Sequence, residues 1–120
     1  MSALNTQQIE EFIHGQIACW NKGDRDGFFA CYNKAAPGGL HIEYVGKHSG
    51  DGLPILEGMW EQNQEKIDIE EVALIHNGNE VACHNRNKVK GTDMAIDTIE
   101  IYSFGDDGSV AVRYFVKELA

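Results

Sequence analysis

Three acidic residues lie within two apolar stretches that have the pattern of β-strands. Glu43 falls within residues 40–45, and Asp97 and Glu100 fall within residues 94–104. A carboxylate in the middle of a strand either faces water or lines a pocket, and burial in a pocket raises its pKa. A carboxyl group of raised pKa exchanges protons near neutral pH, so it can serve as a general acid or base. The function of the chain therefore depends on which of these acids faces a pocket.

Strand alternation separates Asp97 from Glu100, because side chains two residues apart share one face of a strand. Glu100 shares its face with Tyr102 and Phe104, which would line an aromatic pocket. Asp97 shares the opposite face with Ile99. A regular strand can therefore bring only one of the two acids into the pocket. The alternative for Glu100 is that Ile99 packs inward and the Glu100 carboxylate is solvated.

The same alternation applies to the earlier stretch at residues 40–45. His41 and Glu43 share one face of this predicted strand, and Ile42 and Tyr44 share the other. If Glu43 faces the pocket, it can take a proton from carbon or water, and His41 can tune it or share the proton. The alternative is that Ile42 and Tyr44 are buried while His41 and Glu43 face solvent.

His84, within residues 80–90, is a further candidate base because imidazole exchanges protons near neutral pH. The alternative place for this histidine is the sheet surface or a dimer contact. The sequence contains no HxH, HExxH or CxxC motif, and its glycine-rich loops carry no nucleotide-binding pattern. We therefore expect neither a metal site nor a cofactor.

The overall composition limits the possible partners. A chain of 120 residues forms one domain, at residues 1–120, and its net charge of −9 is spread without any basic run. This charge argues against binding to nucleic acid or to an anionic membrane surface. No apolar run approaches the ~20 residues that span a bilayer, and the first residues lack the pattern of a signal peptide. Together with three isolated cysteines, these features predict a cytoplasmic protein.

The spacing of apolar residues predicts the elements that carry these side chains. Ile9, Phe12 and Ile13 recur with helical spacing, and Asn-Gly and Asp-Gly pairs separate the later strands as they do in hairpins. The predicted order is helix, helix, strand, helix and then four strands. The first helix runs from an N-cap at Thr6 to Gly23, and the others lie at residues 25–32 and 54–65. The strands lie at residues 40–45, 67–76, 80–90, 94–104 and 109–117, with a glycine-rich loop at residues 46–52.

This order of elements, with Asn21-Lys22-Gly23-Asp24 followed by Phe28-Phe29-Ala30-Cys31-Tyr32, resembles the nuclear transport factor 2-like superfamily. The resemblance covers about residues 9–117 and is strongest to the ketosteroid isomerase and polyketide cyclase (SnoaL-like) branches. It implies an α+β fold in which a cone-shaped, curved antiparallel or mixed sheet and three N-terminal helices enclose a pocket. It also implies a small apolar organic substrate and a homodimer.

The resemblance further implies roles for individual residues. Glu43 falls at the place of the catalytic base of the isomerases, and Glu100 falls at the place of their protonated oxyanion-hole acid. Tyr32 corresponds to a supporting tyrosine and Trp60 to a supporting aromatic residue. Gln16 occupies the place of the main oxyanion tyrosine, so the resemblance implies a variant of the isomerase reaction. The residues expected to contact substrate are Phe28, Trp60, Tyr102 and Phe104.

These observations predict a cofactor-free acid–base enzyme of isomerase, cyclase, lyase or hydratase type that acts on a small apolar carbonyl compound. Glu43 would move the proton, and Glu100 would donate a hydrogen bond to the developing oxyanion. Gln16 and Tyr32 would be secondary donors. His41, His84 and Asp97 complete the set of candidate catalytic residues.

Two alternatives remain open from the sequence. The same fold can serve as a non-catalytic ligand-binding or dimerisation module, in which case apolar side chains would fill the pocket. The chain can also activate water as epoxide hydrolases of related fold do. Asp97 and Arg113 supply part of that arrangement, and an ion pair between these two residues is the expected contact of Arg113.

Overall fold

The computed structural model describes residues 4–117 of the chain, which form three helices and a six-stranded sheet. The predicted α+β class is confirmed. Within the described range, no helix has the length and apolarity needed to cross a membrane. The helices are α1 (Thr6–Lys22), α2 (Arg25–Ala35) and α3 (Gly52–Asn63). The strands are β1 (Gly39–Tyr44), β2 (His48–Asp51), β3 (Ile67–Asn77), β4 (Glu80–Val89), β5 (Ala95–Phe104) and β6 (Ser109–Val116).

The sheet is curved, open and mixed, with the strand order β2-β1-β6-β5-β4-β3. Strands β1 and β6 are parallel, with Leu40 opposite Val110, and every other neighbouring pair is antiparallel. The inner face of the sheet is the face that carries Ile42 and Glu100 among its buried residues. The outer face is the opposite one. Each strand residue therefore belongs to the helix-covered side or to the exposed side according to its position in the alternation.

Strand β2 replaces the loop that was predicted at residues 46–52. It pairs antiparallel with β1, with Tyr44 opposite His48 and His41 opposite Asp51. Its sequence, HSGD, has neither the β-branched residues nor the apolar alternation that mark a strand. The pairing depends instead on a tight turn in which Gly46 has a φ of 81°, a left-handed conformation that favours glycine.

The caps of the first two helices follow their local sequence. The Asn5 side chain accepts a hydrogen bond from the Gln8 N–H at 2.8 Å, and the Gln8 side chain accepts one from the Asn5 N–H at 3.0 Å. This capping box places the N-cap one residue before the predicted Thr6. Helix α1 ends as predicted at Gly23, which has a φ of 75°. The Asp24 side chain then caps α2 by accepting from the Gly27 N–H.

Aromatic side chains fill one end of the space between the helices and the sheet. The Phe12 ring meets the rings of Tyr32, Tyr102 and Phe104 edge-on, with centroid distances of 4.9, 5.9 and 6.0 Å. Tyr102 and Phe104 are each only 1% exposed. Edge-to-face packing is a favoured arrangement of aromatic rings, so these side chains contribute to the stability of this end of the core.

Candidate functional site

A cavity of about 190 Å³ lies between the three helices and the inner face of the sheet. Its apolar wall comes from α1, α2, α3, β3 and β5, and Asn63 and Val116 at its edge are exposed. Among residues 4–117, the Glu100 carboxyl is the one Asp, Glu, Lys, Arg or His side chain that lines it. The apolar lining residues include Ile17, Trp20, Phe28, Met59, Ile67, Ile69 and Ile96. The buried polar groups and tyrosines of the lining are Gln16, Tyr32, Tyr44, Asn85, Thr98, Glu100 and Tyr114.

Glu100 lies on β5 and is 6% exposed. Its Oε1 atom accepts a hydrogen bond from the Tyr102 hydroxyl at 2.8 Å. Its Oε2 atom accepts one from Asn85 Nδ2 at 3.1 Å and one from Thr98 Oγ1 at 2.9 Å. Thr98, Glu100 and Tyr102 alternate along β5, so all three point to the inner face. The carboxyl group is therefore buried and fully held in position.

Burial raises the pKa of Glu100, because a charged carboxylate is poorly solvated inside the protein. The hydrogen bonds from Tyr102, Asn85 and Thr98 favour the charged form and oppose part of this effect. The negative charge of Glu71 acts in the same direction as burial. The net result is a carboxyl group that holds its proton to a higher pH than an exposed glutamate, as an acid–base catalyst requires.

A row of hydrogen bonds leads from α2 to this carboxyl group. The Tyr32 hydroxyl donates to Gln16 Oε1 at 3.4 Å, and Gln16 Nε2 donates to the Tyr102 hydroxyl at 3.4 Å. Tyr102 in turn donates to Glu100, so the three bonds run in the same direction. Two of them are long and hence weak. Gln16 therefore gives only weak support to the position of the Tyr102 hydroxyl.

The tyrosines around the cavity are neutral hydrogen-bond donors. Burial and the Glu100 carboxylate raise the pKa of Tyr44 to about 12. Burial also raises the pKa of Tyr32 and the pKa of Tyr114 well above the usual value, and the Glu100 charge adds to both. A hydroxyl that cannot ionise near neutral pH keeps its proton available for a ligand oxygen.

The prediction that Glu43 faces the pocket is wrong. Ile42 is 0% exposed and Tyr44 lines the cavity, so alternation along β1 places Glu43 and His41 on the other side. Glu43 lies opposite Arg113 in the parallel β1–β6 register, and Arg113 Nε donates to Glu43 Oε1 at 3.2 Å. The two more apolar side chains take the inner face, and the acid pairs with a cation outside.

His84 and Asp97 also lie outside the cavity, on the outer face. Arg86 Nε donates to Asp97 Oδ1 at 3.2 Å, and His84 Nε2 lies 3.5 Å from Asp97 Oδ2. Partial desolvation raises the pKa of Asp97. The hydrogen bonds from Arg86 and His84 outweigh this effect and hold the pKa of Asp97 below its usual value. The predicted Asp97–Arg113 pair is therefore wrong, because Arg113 binds Glu43. Asp97 and Arg113 belong to separate ion pairs, so they do not form the epoxide-hydrolase-like arrangement.

The predicted substrate-contacting residues are divided between the cavity and the core. Phe28 lines the cavity, whereas Tyr102 and Phe104 pack behind it in the aromatic end of the core. The Trp60 ring packs against Phe28 and Trp20, at centroid distances of 5.2 and 5.3 Å, and is not among the lining side chains. Gln16 and Tyr32, both predicted from the resemblance, do line the cavity.

Several lining residues escaped the sequence analysis. Trp20 was not assigned to the pocket, and Tyr44 was considered only as a core residue. Asn85 and Tyr114 were among the other omissions. The available signal was alternation: Asn85 shares the inner face of β4 with Val81 and Cys83, which are buried.

The fold and the cavity define a class of α+β proteins in which a curved sheet and helices enclose a cavity. No protein-family model matches the sequence, and no curated protein matches it. Solved structures do match. A Kribbella flavida DSM 17836 protein described as a ketosteroid isomerase has a TM-score of 0.74 at 14% identity, covering 96% of this chain and 82% of that chain.

Two further structures agree with this match. A Jannaschia sp. CCS1 protein described as a SnoaL-like polyketide cyclase has a TM-score of 0.70 at 15% identity, covering 98% of this chain and 90% of that one. An NTF2-like protein from Burkholderia xenovorans LB400 has a TM-score of 0.66 at 16% identity, covering 96% and 93%. The chain therefore has the nuclear transport factor 2-like fold, as its sequence resemblance implies. At these identities the similarity concerns the fold alone.

Proposed function

We propose that the cavity binds a small, uncharged carbonyl compound and that Glu100 moves a proton on this compound without a cofactor. The observation that carries the proposal is a buried carboxyl group of raised pKa in a cavity whose other lining side chains are uncharged. Such a group is matched to proton transfer near neutral pH. The apolar wall excludes water and favours an apolar ligand.

The arrangement supports a reaction in which one carboxyl group both removes and returns the proton. The Glu100 carboxylate would take a proton from the carbon next to the carbonyl, so that the C–H electron pair enters the enolate. The neutral hydroxyls of Tyr44 and Tyr114, which also line the cavity, would donate hydrogen bonds to the enolate oxygen as its charge develops. Protonated Glu100 would then return the proton to another carbon, which completes an isomerisation.

The role of Glu100 in this proposal differs from the one that the sequence suggested. Glu43 lies outside the cavity, so a base on β1 and an acid on β5 cannot act on the same ligand. Glu100 therefore takes the part of the base, and the tyrosines take the part of the oxyanion donors. Gln16 is bonded to Tyr32 and Tyr102, which makes it a positioning residue.

A non-catalytic ligand-binding module is the second candidate. A specific observation favours it: among the described residues, the cavity has a single carboxyl group, and three hydrogen bonds already hold that group. A binding site needs polar groups of fixed direction, whereas proton transfer needs Glu100 to reach carbon.

Turnover of single-ring β,γ-enones distinguishes the two candidates. Conversion of cyclohex-3-enone to the conjugated isomer would be followed by absorbance and by NMR in D₂O, with β-keto compounds tested for proton exchange. We expect Glu100→Gln to lower the wild-type rate by at least about 100-fold, the usual worth of a general base. Glu43→Gln is the matched control and should keep the full rate. Binding without any acceleration, or full activity of Glu100→Gln, would contradict the enzymatic role.

A further inference from the structure

The size of the cavity limits the ligand to about one ring. An engineered apolar cavity of about 150 Å³ holds benzene. The cavity beside Glu100 has about 190 Å³, which is enough for a six-membered ring with one or two substituents. A polycyclic compound would extend past the exposed edge at Asn63 and Val116, or would displace a wall residue such as Trp20.

The polar side of the cavity has an unused hydrogen-bond acceptor. Asn85 lies on β4, is 1% exposed and lines the cavity. Its Nδ2 atom donates to Glu100 Oε2 at 3.1 Å, whereas its Oδ1 atom has no hydrogen-bond partner among the described residues. A buried polar atom without a partner costs free energy, and native structures contain few of them. An acceptor left open next to Glu100 therefore indicates a place for a donor.

The neighbouring side chains cannot supply this donor. The Thr98 hydroxyl donates to Glu100 Oε2 at 2.9 Å. Asn87 Nδ2 donates to the Ile96 carbonyl at 2.9 Å and to Thr98 Oγ1 at 3.2 Å. The Asn85 amide contacts Glu100 through Nδ2, so Oδ1 receives no hydrogen bond from the carboxyl group. Within residues 4–117 no group donates to Asn85 Oδ1, which leaves this place to a donor on a ligand.

We infer that the ligand of the cavity is a single-ring molecule carrying a hydroxyl or N–H group, and that this group donates a hydrogen bond to Asn85 Oδ1. The inference rests on the proposed function only in placing a ligand in the cavity. Oδ1 is covered by its neighbours, so the amide of Asn85, which lines the cavity, would have to turn about χ2 to meet the ligand, and χ2 of asparagine has broad minima. A single-ring β,γ-enone that carries a hydroxyl substituent has both the carbonyl group and the hydroxyl group that the site requires.

Phenol and toluene test the inference, because they have the same shape and differ in one hydroxyl donor. Their binding would be measured by ¹H–¹⁵N NMR titration of wild type, Asn85→Leu and Thr98→Val. Leucine matches asparagine in size but offers no acceptor, so Asn85→Leu should lose the preference for phenol. Thr98→Val removes a different donor to Glu100 and leaves Asn85 Oδ1 in place, so it should keep the preference. In wild type we expect phenol to bind at least about tenfold more tightly than toluene.

The result can overturn the inference independently of the proposed reaction. Equal binding of phenol and toluene by wild type would refute it, as would a phenol preference that survives in Asn85→Leu. If Asn85→Leu does not fold, as judged by circular dichroism, the wild-type ratio and its retention in Thr98→Val decide the question. Two variants separate the two proposals: Glu100→Gln should lose turnover, and Asn85→Leu should lose the phenol preference. A phenol preference without any turnover would leave the inference standing and contradict the reaction.

Discussion

The Tyr102 hydroxyl makes the shortest of the three hydrogen bonds to Glu100, at 2.8 Å. This bond favours the charged carboxylate and so opposes the effect of burial on the pKa. We expect Tyr102→Phe to raise the pKa of Glu100 further, because the phenylalanine ring keeps the packing and removes only the donor. A pH titration of the ¹³C-labelled Glu100 carboxyl by NMR measures the change. Tyr44→Phe is the control, and an unchanged or lower pKa in Tyr102→Phe would be inconsistent with this balance.

Glu43 differs from Glu100 in its exposure and in its hydrogen-bond partner. Its ion pair with Arg113 has side chains that are 36% and 51% exposed. Exposed pairs of this kind contribute about 0–1 kcal/mol. We expect Glu43→Gln to change the free energy of unfolding, measured in urea, by less than about 1 kcal/mol and to leave phenol binding unchanged. A large loss of stability would contradict the exposed position of this ion pair. A large loss of phenol binding would mean that Glu43 reaches the cavity.

The orientation of these two acids shows how far sequence reasoning extends at the scale of the residue. Alternation correctly separated Glu100 from Asp97, because it depends only on strand geometry. It could not say which face was inner, since Ile99 is apolar and yet lies on the outer face, 41% exposed. That choice depends on which helix covers the strand. The family resemblance predicted that the Glu43 side chain faces the pocket. In the structure Ile42 and Tyr44 occupy the inner face of β1 instead, so Glu43 faces outward.

At the scale of the element, two glycines have opposite expected effects. Gly58 lies inside α3, and a Cβ atom added there would meet nothing within 4 Å. A Cβ atom at Gly38 would lie 2.8 Å from the Gly108 carbonyl carbon and 2.9 Å from the Ser109 nitrogen, both backbone atoms. We expect Gly58→Ala to stabilise by up to about 1 kcal/mol, because alanine favours a helix. Gly38→Ala should destabilise by about 1–3 kcal/mol.

Urea unfolding of the two variants beside wild type measures both effects. The pair is matched, since the chemical change is the same single methyl group. Stabilisation by Gly38→Ala, or destabilisation by Gly58→Ala, would show that the packing around these glycines differs from the structure.

The elements themselves were predictable where the signals are local. Helix α1 ends at Gly23 and Asp24 caps α2, as the sequence indicates. Strand β2 was not predictable, because its pairing with β1 comes from the Gly46 turn and not from its own residues. The parallel pairing of β1 with β6 joins residues about seventy positions apart, as Glu43 and Arg113 show, and no local pattern encodes it.

At the scale of the whole molecule, the cavity results from an uneven filling of the core. Phe12, Tyr102 and Phe104 pack closely at one end, whereas Trp20 and Phe28 form only the wall at the other. Sequence patterns make these side chains candidates for burial, but they did not decide which face of β5 is the inner one. The volume that they leave depends on how helices and strands from the full length of the chain meet. The volume of the cavity can therefore be read from the structure but not from the sequence.

Global stability should depend on pH through Glu100. Its pKa is raised in the folded state, so its contribution to stability is fully present below the unfolded pKa, about 4.3. As pH rises from there through the folded pKa, the unfolded chain loses the proton first and stability falls. Each pH unit between the two pKa values lowers the free energy of unfolding by about 1.4 kcal/mol.

Comparison of wild type with Glu100→Gln isolates the contribution of Glu100 to the pH dependence of stability. Asp97 and Asp107 have lowered pKa values and lose stability as pH falls, but they are present in both proteins and cancel in the difference. We expect wild type to lose stability relative to Glu100→Gln as pH rises from 4 to 8, measured by urea unfolding at each pH. Because glutamine cannot ionise, the difference should level off above the folded pKa. A difference that is independent of pH would mean that Glu100 is solvated in the native state and cannot act as the proposed base.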